Sequence, residues 1–152
     1  MKSILFPILF LASTAFAQHG GHQMVTPDEL KWSDVPSLPP GAKIAVIEGP
    51  MSQAVPFTVR LKFPAGYHIP AHWHPEVERV TVLAGTFYMG TGDKLDKKHS
   101  SAMKPGSLMI MQPKTNHFAW TGKDEVIVQL NGNGPWGVTY VNPADDPRNA
   151  KK

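Results

Sequence analysis

The sequence contains no cysteine. Disulfides within it are therefore excluded, and so is the thiol-linked lipid that anchors lipoproteins. Charge is thin and nearly balanced: 15 Lys and Arg stand against 12 Asp and Glu, a formal net charge of +3. No basic stripe interleaves with aromatic residues, so no nucleic-acid surface is expected. "GTGDK" at Gly90–Lys94 lacks the spacing of a phosphate-binding loop. There is no internal repeat. The apolar run from Ile4 to Ala12 is interrupted by Pro7 and is too short to span a membrane. Lys2 precedes it and Ala15-Phe16-Ala17 follows it, which is the pattern of a secretory signal peptide over residues 1–17. Export to a periplasm or to the outside is the expectation. The mature chain would begin near Gln18 and keep about 135 residues, enough for one core. Without disulfides in an oxidising compartment, burial must supply the stability, helped by any bound metal.

What is present is a series of short strands. Residues 18–41 read as a flexible leader and N-terminal segment: "QHGGHQMVT" is polar and glycine-rich, and "TPDEL" suits one helical turn with Thr26 as its cap. From residue 42 the period changes to two. "KIAVIEG" is a strand, and "FTVRLKF" sets Phe57, Val59, Leu61 and Phe63 on one face. Further strands are predicted over "VERVTVLAG", "TFYMG", "SLMIMQ", "HFAWT", "EVIVQL" and "WGVTYV", with Gly- and Pro-containing turns between them. This is an all-β pattern, a sandwich or small barrel over residues 42–142. "DKLDKKHSSAMK" is a polar insertion, a short surface helix or an ordered loop, and residues 143–152 form a disordered tail.

The chemistry concentrates in "GYHIPAHWHPEVERVTVLAG". His72 and His74 flank Trp73, and positions two apart on a strand share a face. Two such imidazoles reach one ion at about 2.0–2.1 Å. Pro75 turns the chain, and Glu78 opens the next strand on the face of Val80 and Val82.

This stretch resembles the first motif of the cupin superfamily. Gly66, five residues, His72-Trp73-His74, three residues, Glu78, six residues and Gly85 match each defined position. The second motif begins at Gly106 and places a histidine at His117. Three positions depart from it: Gln112 stands for proline, Lys114 for glycine and Thr121 for asparagine. A differently shaped turn over Pro113–Asn116 is therefore expected. The resemblance implies a cupin double-stranded β-helix, a jelly-roll barrel. It implies a mononuclear metal site of His72, His74, Glu78 and His117. That set suits one divalent ion of Mn, Fe, Zn, Ni or Cu, with positions left open for water or substrate.

Other residues carry weaker expectations. His68, four before His72, could share the inward face by parity and orient a ligand there, and a position at the barrel mouth or on the surface is an equal expectation. Glu76 is the second choice for the carboxylate. His99 lies in the polar insertion and is read as solvated. Arg60 belongs to the non-core face of its strand, and an anion-binding role there is the lesser reading. His19, His22 and Met24 in the leader would make at most a loose copper or zinc site. Ala119 shares the face of His117, while Phe118 and Trp120 point away. Val77 and Leu83 lie opposite the Glu78 face and suggest a homodimer. The expected function is that of an exported, metal-binding protein acting on a small molecule. Oxygen-dependent oxidation is the first choice, and isomerase or lyase chemistry the second. The alternative is a non-catalytic module that binds a small molecule or senses a metal.

Overall fold

A computed structural model describes residues 22–150. The expected signal peptide and His19 lie outside the described residues. The alternation of Phe57, Val59, Leu61 and Phe63 becomes a strand over Pro56–Phe63 (β3), with Phe57, Val59 and Phe63 each 1% exposed. Before it come β1 (Ser33–Asp34) and β2 (Lys43–Glu48). After it come β4 (His68–Trp73), β5 (Glu78–Ala84) and β6 (Phe87–Thr91). β7 (Ser101–Met103), β8 (Leu108–Met111) and β9 (His117–Thr121) follow. β10 (Val126–Asn133) and β11 (Thr139–Tyr140) complete the set. One sheet has the order β1-β2-β3-β10-β5-β8, the other β11-β4-β9-β6-β7. Each pair is antiparallel. This is a jelly-roll of two antiparallel sheets, the fold that the resemblance implied.

The core lies between the sheets. Val126, Val128 and Leu130 of β10 stand opposite Phe63, Leu61 and Val59 of β3. On the other side of β10, Val128 and Leu130 stand opposite Val82 and Val80 of β5. Phe63 bridges to the second sheet by stacking on Phe87, centroids 5.4 Å apart and planes within 4°. Each such side chain contributes about 1.5–3 kcal/mol on burial.

The second sheet is covered on its outer face as well. The polar insertion forms a 3₁₀ turn at Lys97–His99 and then β7, a strand that composition concealed. It lies over β6 and β9. Trp120 stacks on Tyr88 at 3.9 Å, donates from Nε1 to Ser100 Oγ at 3.0 Å, and takes the Lys97 ammonium over its ring at 4.8 Å. Phe118 faces away from the core and is nonetheless only 1% exposed. Gly90 makes room for it, since a Cβ there would stand 2.4 Å from Phe118 Cζ.

Both ends of the described segment join the barrel more than expected. Thr26 precedes the Pro27–Glu29 turn, and Glu29 Oε2 accepts from Thr26 N at 2.7 Å. β1 then pairs with β2, Leu38 is buried, and Val35 packs against the core. At the other end, residues 143–150 were expected to be disordered. They instead form 3₁₀ turns at Pro143–Asp145 and Pro147–Asn149, capped by Asn142 and Asp146. Arg148 ties this segment back, donating from Nη2 to Val138 O at 2.9 Å. Proline at the start of each turn and an Asx cap before it explain the order.

Candidate metal centre

β4 and β9 are neighbours, and their register sets His72 directly opposite His117. The two rings lie 4.3 Å apart. His74 stands just past the end of β4, its ring 4.9 Å from His72 and 5.2 Å from His117. One nitrogen from each ring falls within 4.8 Å of the others. Glu78 enters from the opposite sheet as the first residue of β5. Its Oε1 is 3.5 Å from His74 Nε2 and its Oε2 is 3.3 Å from His117 Nε2. All four side chains are buried, with His117 1% exposed and the other three 5%.

The backbone fixes which nitrogen each ring offers. His72 Nδ1 donates to Pro70 O at 2.7 Å, His74 Nδ1 to Gly137 O at 2.8 Å, and His117 Nδ1 to Thr115 O at 2.8 Å. A carbonyl only accepts, so each Nδ1 carries the hydrogen and each neutral ring has its lone pair on Nε2. His74 Nε2 and Glu78 Oε2 are buried without any hydrogen-bond partner. Buried polar atoms are normally paired, and here two orphans meet among imidazole lone pairs. A cation satisfies them together. Three buried histidines are thus positioned to hold a metal in a cupin fold.

The electrostatics agree. Burial, then the neighbouring charges of His117 and His74, push His72 down to about 3, so this ring stays neutral. Burial also lowers His74. Burial alone would lower His117, but the close approach of the Glu78 carboxylate to its Nε2 and that carboxylate's charge hold it above the usual imidazole value. Glu78 is held below the usual carboxylate value although burial opposes this, first through the adjacent His117 ring and then through the charges of His74 and His72.

The remaining expectations divide. The register of β4 against β9 shifts between Ile69 and His72, around Pro70. The parity argument therefore fails for His68: Ile69 and His72 turn inward, and His68 is exposed opposite Trp120. It does not reach the ligands. Glu76 is exposed in the turn before β5. His99 is exposed and bonds Asp96 at 2.6 Å. Arg60 faces outward and donates to Gln129 Oε1 at 3.3 Å. Ala119 lines the cavity with His117, as parity required. Lys114 adopts φ +59°, the left-handed region favouring the glycine it replaces. At that position the backbone therefore keeps the conformation glycine would serve. Thr121, in the asparagine position, donates to Pro64 O at 2.7 Å and accepts from Tyr67 N at 2.8 Å, so it ties β9 to the turn before β4.

Sequence reasoning missed the segment that completes the site. Trp136 stacks on His74, centroids 4.4 Å apart, and Gly137 accepts that ring's Nδ1–H. Trp136 is itself braced edge-on by Phe57 at 5.3 Å. A tryptophan beside a glycine-rich turn was the available signal. A cavity of about 220 Å³ opens from the donors into the barrel.

The family model described as the ChrR Cupin-like domain matches residues 20–135. No curated protein sequence matches the chain. Among solved structures, the polyketide cyclase RemF from Streptomyces resistomycificus is similar with a TM-score of 0.69 at 16% identity, over 84% of this chain and 91% of that one. The DMSP lyase DddQ from Ruegeria pomeroyi gives 0.59 at 15% identity, over 74% and 61%. The Rhodobacter sphaeroides complex of SigE with the anti-sigma ChrR gives 0.54 at 18% identity, over 71% of this chain and 52% of the matched one. At such identities the likeness is one of fold. The family match covers most of the chain and agrees with the fold and with the buried donors: the chain belongs to the cupin superfamily, in the ChrR cupin-like domain family.

Proposed function

We propose that this chain holds one divalent transition-metal ion through His72, His74, His117 and Glu78 and presents it to a small molecule in the barrel cavity. The observation that carries this reading is the trio of Nδ1–carbonyl bonds, which leaves three Nε2 lone pairs beside an unpartnered carboxylate oxygen. Three imidazoles and one carboxylate suit Mn, Fe, Zn, Ni or Cu. Such an ion supplies Lewis acidity and, where it is redox-active, one-electron chemistry with dioxygen. The chain's part is to keep the imidazoles neutral and correctly turned, to contribute one negative charge from Glu78, and to surround the reacting end with apolar walls. Oxygen-dependent oxidation is the reaction proposed first, isomerisation or elimination second.

Elemental analysis of protein purified from its natural compartment tests the core of this. About one transition-metal ion per chain is expected, lost in His117→Ala. A chain that carries none and takes none up on reconstitution would remove the basis for metal chemistry. An oxygen-consumption screen of the loaded protein then tests the reaction.

A second reading is favoured by the family itself. The ChrR of the Rhodobacter complex is an anti-sigma protein, and membership of the family named for its cupin-like domain supports a non-catalytic module, one that binds a small molecule or senses a metal. Glu78→Gln separates the two. An enzyme loses turnover and keeps its fold, whereas a metal-pinned module shows no turnover but a large drop in melting temperature on chelation.

Export and self-association belong to the same proposal. The signal-peptide pattern of residues 1–17 supports export, and the N-terminal residue of the secreted chain checks it. Leu83, Leu108 and Ile110, exposed by 41%, 55% and 53% on β5 and β8, support a homodimer, which analytical ultracentrifugation checks.

A further inference from the structure

The cavity over the donor cluster is polar at its metal end and apolar along its walls. Ile44, Leu61, Val128 and Leu130 line it from one sheet, and Ile69 and Met89 from the other. Besides the four donors, Ser37, Trp136 and Arg148 are the only residues with N–H or O–H side chains that line it among the described residues. Arg148 is already engaged: Nε and Nη2 each donate to the Asp146 carboxylate at 2.7 Å, and Nη2 also donates to Val138 O at 2.9 Å. Among the described residues, no Lys, Asp, Asn, Gln or Thr side chain lines the space.

Charge narrows the choice further. A divalent ion held by three neutral imidazoles and one carboxylate keeps one excess positive charge, and Arg148 and Asp146 cancel each other. One anionic oxygen on the incoming molecule neutralises the site, while a second buried anion would be left unpaired. At about 220 Å³ the cavity is also smaller than typical pockets for drug-sized ligands, roughly 300–1,000 Å³.

We infer that the compound taken by this site is a compact apolar molecule bearing one anionic oxygen donor, and not a polyhydroxylated sugar acid. The inference rests on the metal-binding reading of the same cavity and adds its substrate class. The oxygen faces the metal, and the body of the molecule takes the place of water along the aliphatic walls. A sugar acid offers the same donor, but each hydroxyl would leave water for a wall without a partner. Every such unpaired group lowers affinity by about tenfold.

The test is a calorimetric titration of the zinc-loaded full chain with benzoate, acetate and gluconate. Benzoate, which has both the donor and the apolar body, is expected to bind at least about tenfold more tightly than the other two. Val128→Thr adds a hydroxyl to the wall at nearly constant volume. It is expected to weaken benzoate several-fold while zinc content stays unchanged. Should that variant fold poorly, the three-probe comparison on the unaltered chain decides alone. Gluconate binding as tightly as benzoate to zinc-loaded protein overturns this inference and leaves the metal site standing. Equal benzoate binding by zinc-free protein also overturns it, since the oxygen then has no metal to meet. Failure to take up zinc, or any of the other candidate ions, overturns both readings together.

Discussion

The two segments that carry donors into the barrel differ in how closely they follow the cupin pattern. Residues 66–85 keep each defined position of the first motif, whereas residues 106–121 lose three positions of the second. Their histidines nonetheless meet in register, His72 opposite His117, with rings 4.3 Å apart. Each turns its ring by the same device, an Nδ1–H given to the carbonyl two residues earlier. Strand pairing decides where a ligand stands, and the turn sequence decides only how the chain reverses. The looser segment even supports the stricter one, because Lys114 N donates to His74 O at 2.8 Å.

If the donors are equivalent, removing either should cost the same. His72→Ala and His117→Ala are each expected to lower metal affinity by more than about 100-fold, measured by competition with a chelator. A loss confined to His72→Ala would show that the second segment's histidine is only a neighbour.

The glycines of the two segments should part company. Gly85 has φ +73°, and a Cβ there would stand 2.4 Å from Glu125 O, a backbone atom that cannot step aside. Gly106 has φ +88° and nothing within 4 Å of its Cβ position. Gly85→Ala is expected to cost about 3 kcal/mol, combining strain with a clash, and Gly106→Ala about 1 kcal/mol from strain alone. Urea unfolding of the metal-free variants measures both.

These contrasts show what was legible in the chain. The alternation through Phe57–Phe63 revealed a barrel wall because each inward position is apolar and period two admits one reading. The donors were legible because metal ligands must be particular side chains at particular spacings. Of the two positions open to His68 the outer one is found, because parity assumes an unbroken ladder and the register shift around Pro70 breaks it. The Gly137 carbonyl that orients His74 left no trace, since any residue supplies a carbonyl and this one lies 63 residues away. The Asn142-Pro143 and Asp146-Pro147 caps of the C-terminal turns could be read from the sequence, but the tie of Arg148 to Val138 O that holds the segment against the barrel could not.

The facing rings also differ in charge behaviour. His72 titrates near 3 instead of the ordinary 6.5, while His117 titrates above that ordinary value. Between 6.5 and about 3, the unfolded chain holds a proton on His72 that the folded chain refuses. His72 therefore leaves stability intact above pH 6.5 and removes it as pH falls toward 3. His117 acts in the opposite sense: its contribution is present below the ordinary value and is lost as pH rises through its folded one. In metal-free protein, His72→Gln should flatten the acid loss of stability and His117→Gln should steepen it. Urea midpoints from pH 8 to pH 4 read the two slopes, and slopes that move together would contradict the opposed environments.

The smallest effect is expected at Lys114, and it tests most directly whether the second segment's turn departs from the pattern in shape or only in sequence. Lys114 sits at φ +59°, where a side chain costs about 1 kcal/mol that glycine avoids. Glycine also frees the unfolded chain, which costs about 0.4–1 kcal/mol in return. The two nearly cancel, so Lys114→Gly should shift stability by less than about 0.5 kcal/mol and leave metal affinity unchanged. Lys114→Val, β-branched at the same backbone angle, should cost about 1–2 kcal/mol. If glycine instead lowered metal affinity tenfold, the lysine side chain would be holding His74 in place. The backbone bond from residue 114 to His74 O would then not be what supports the third donor.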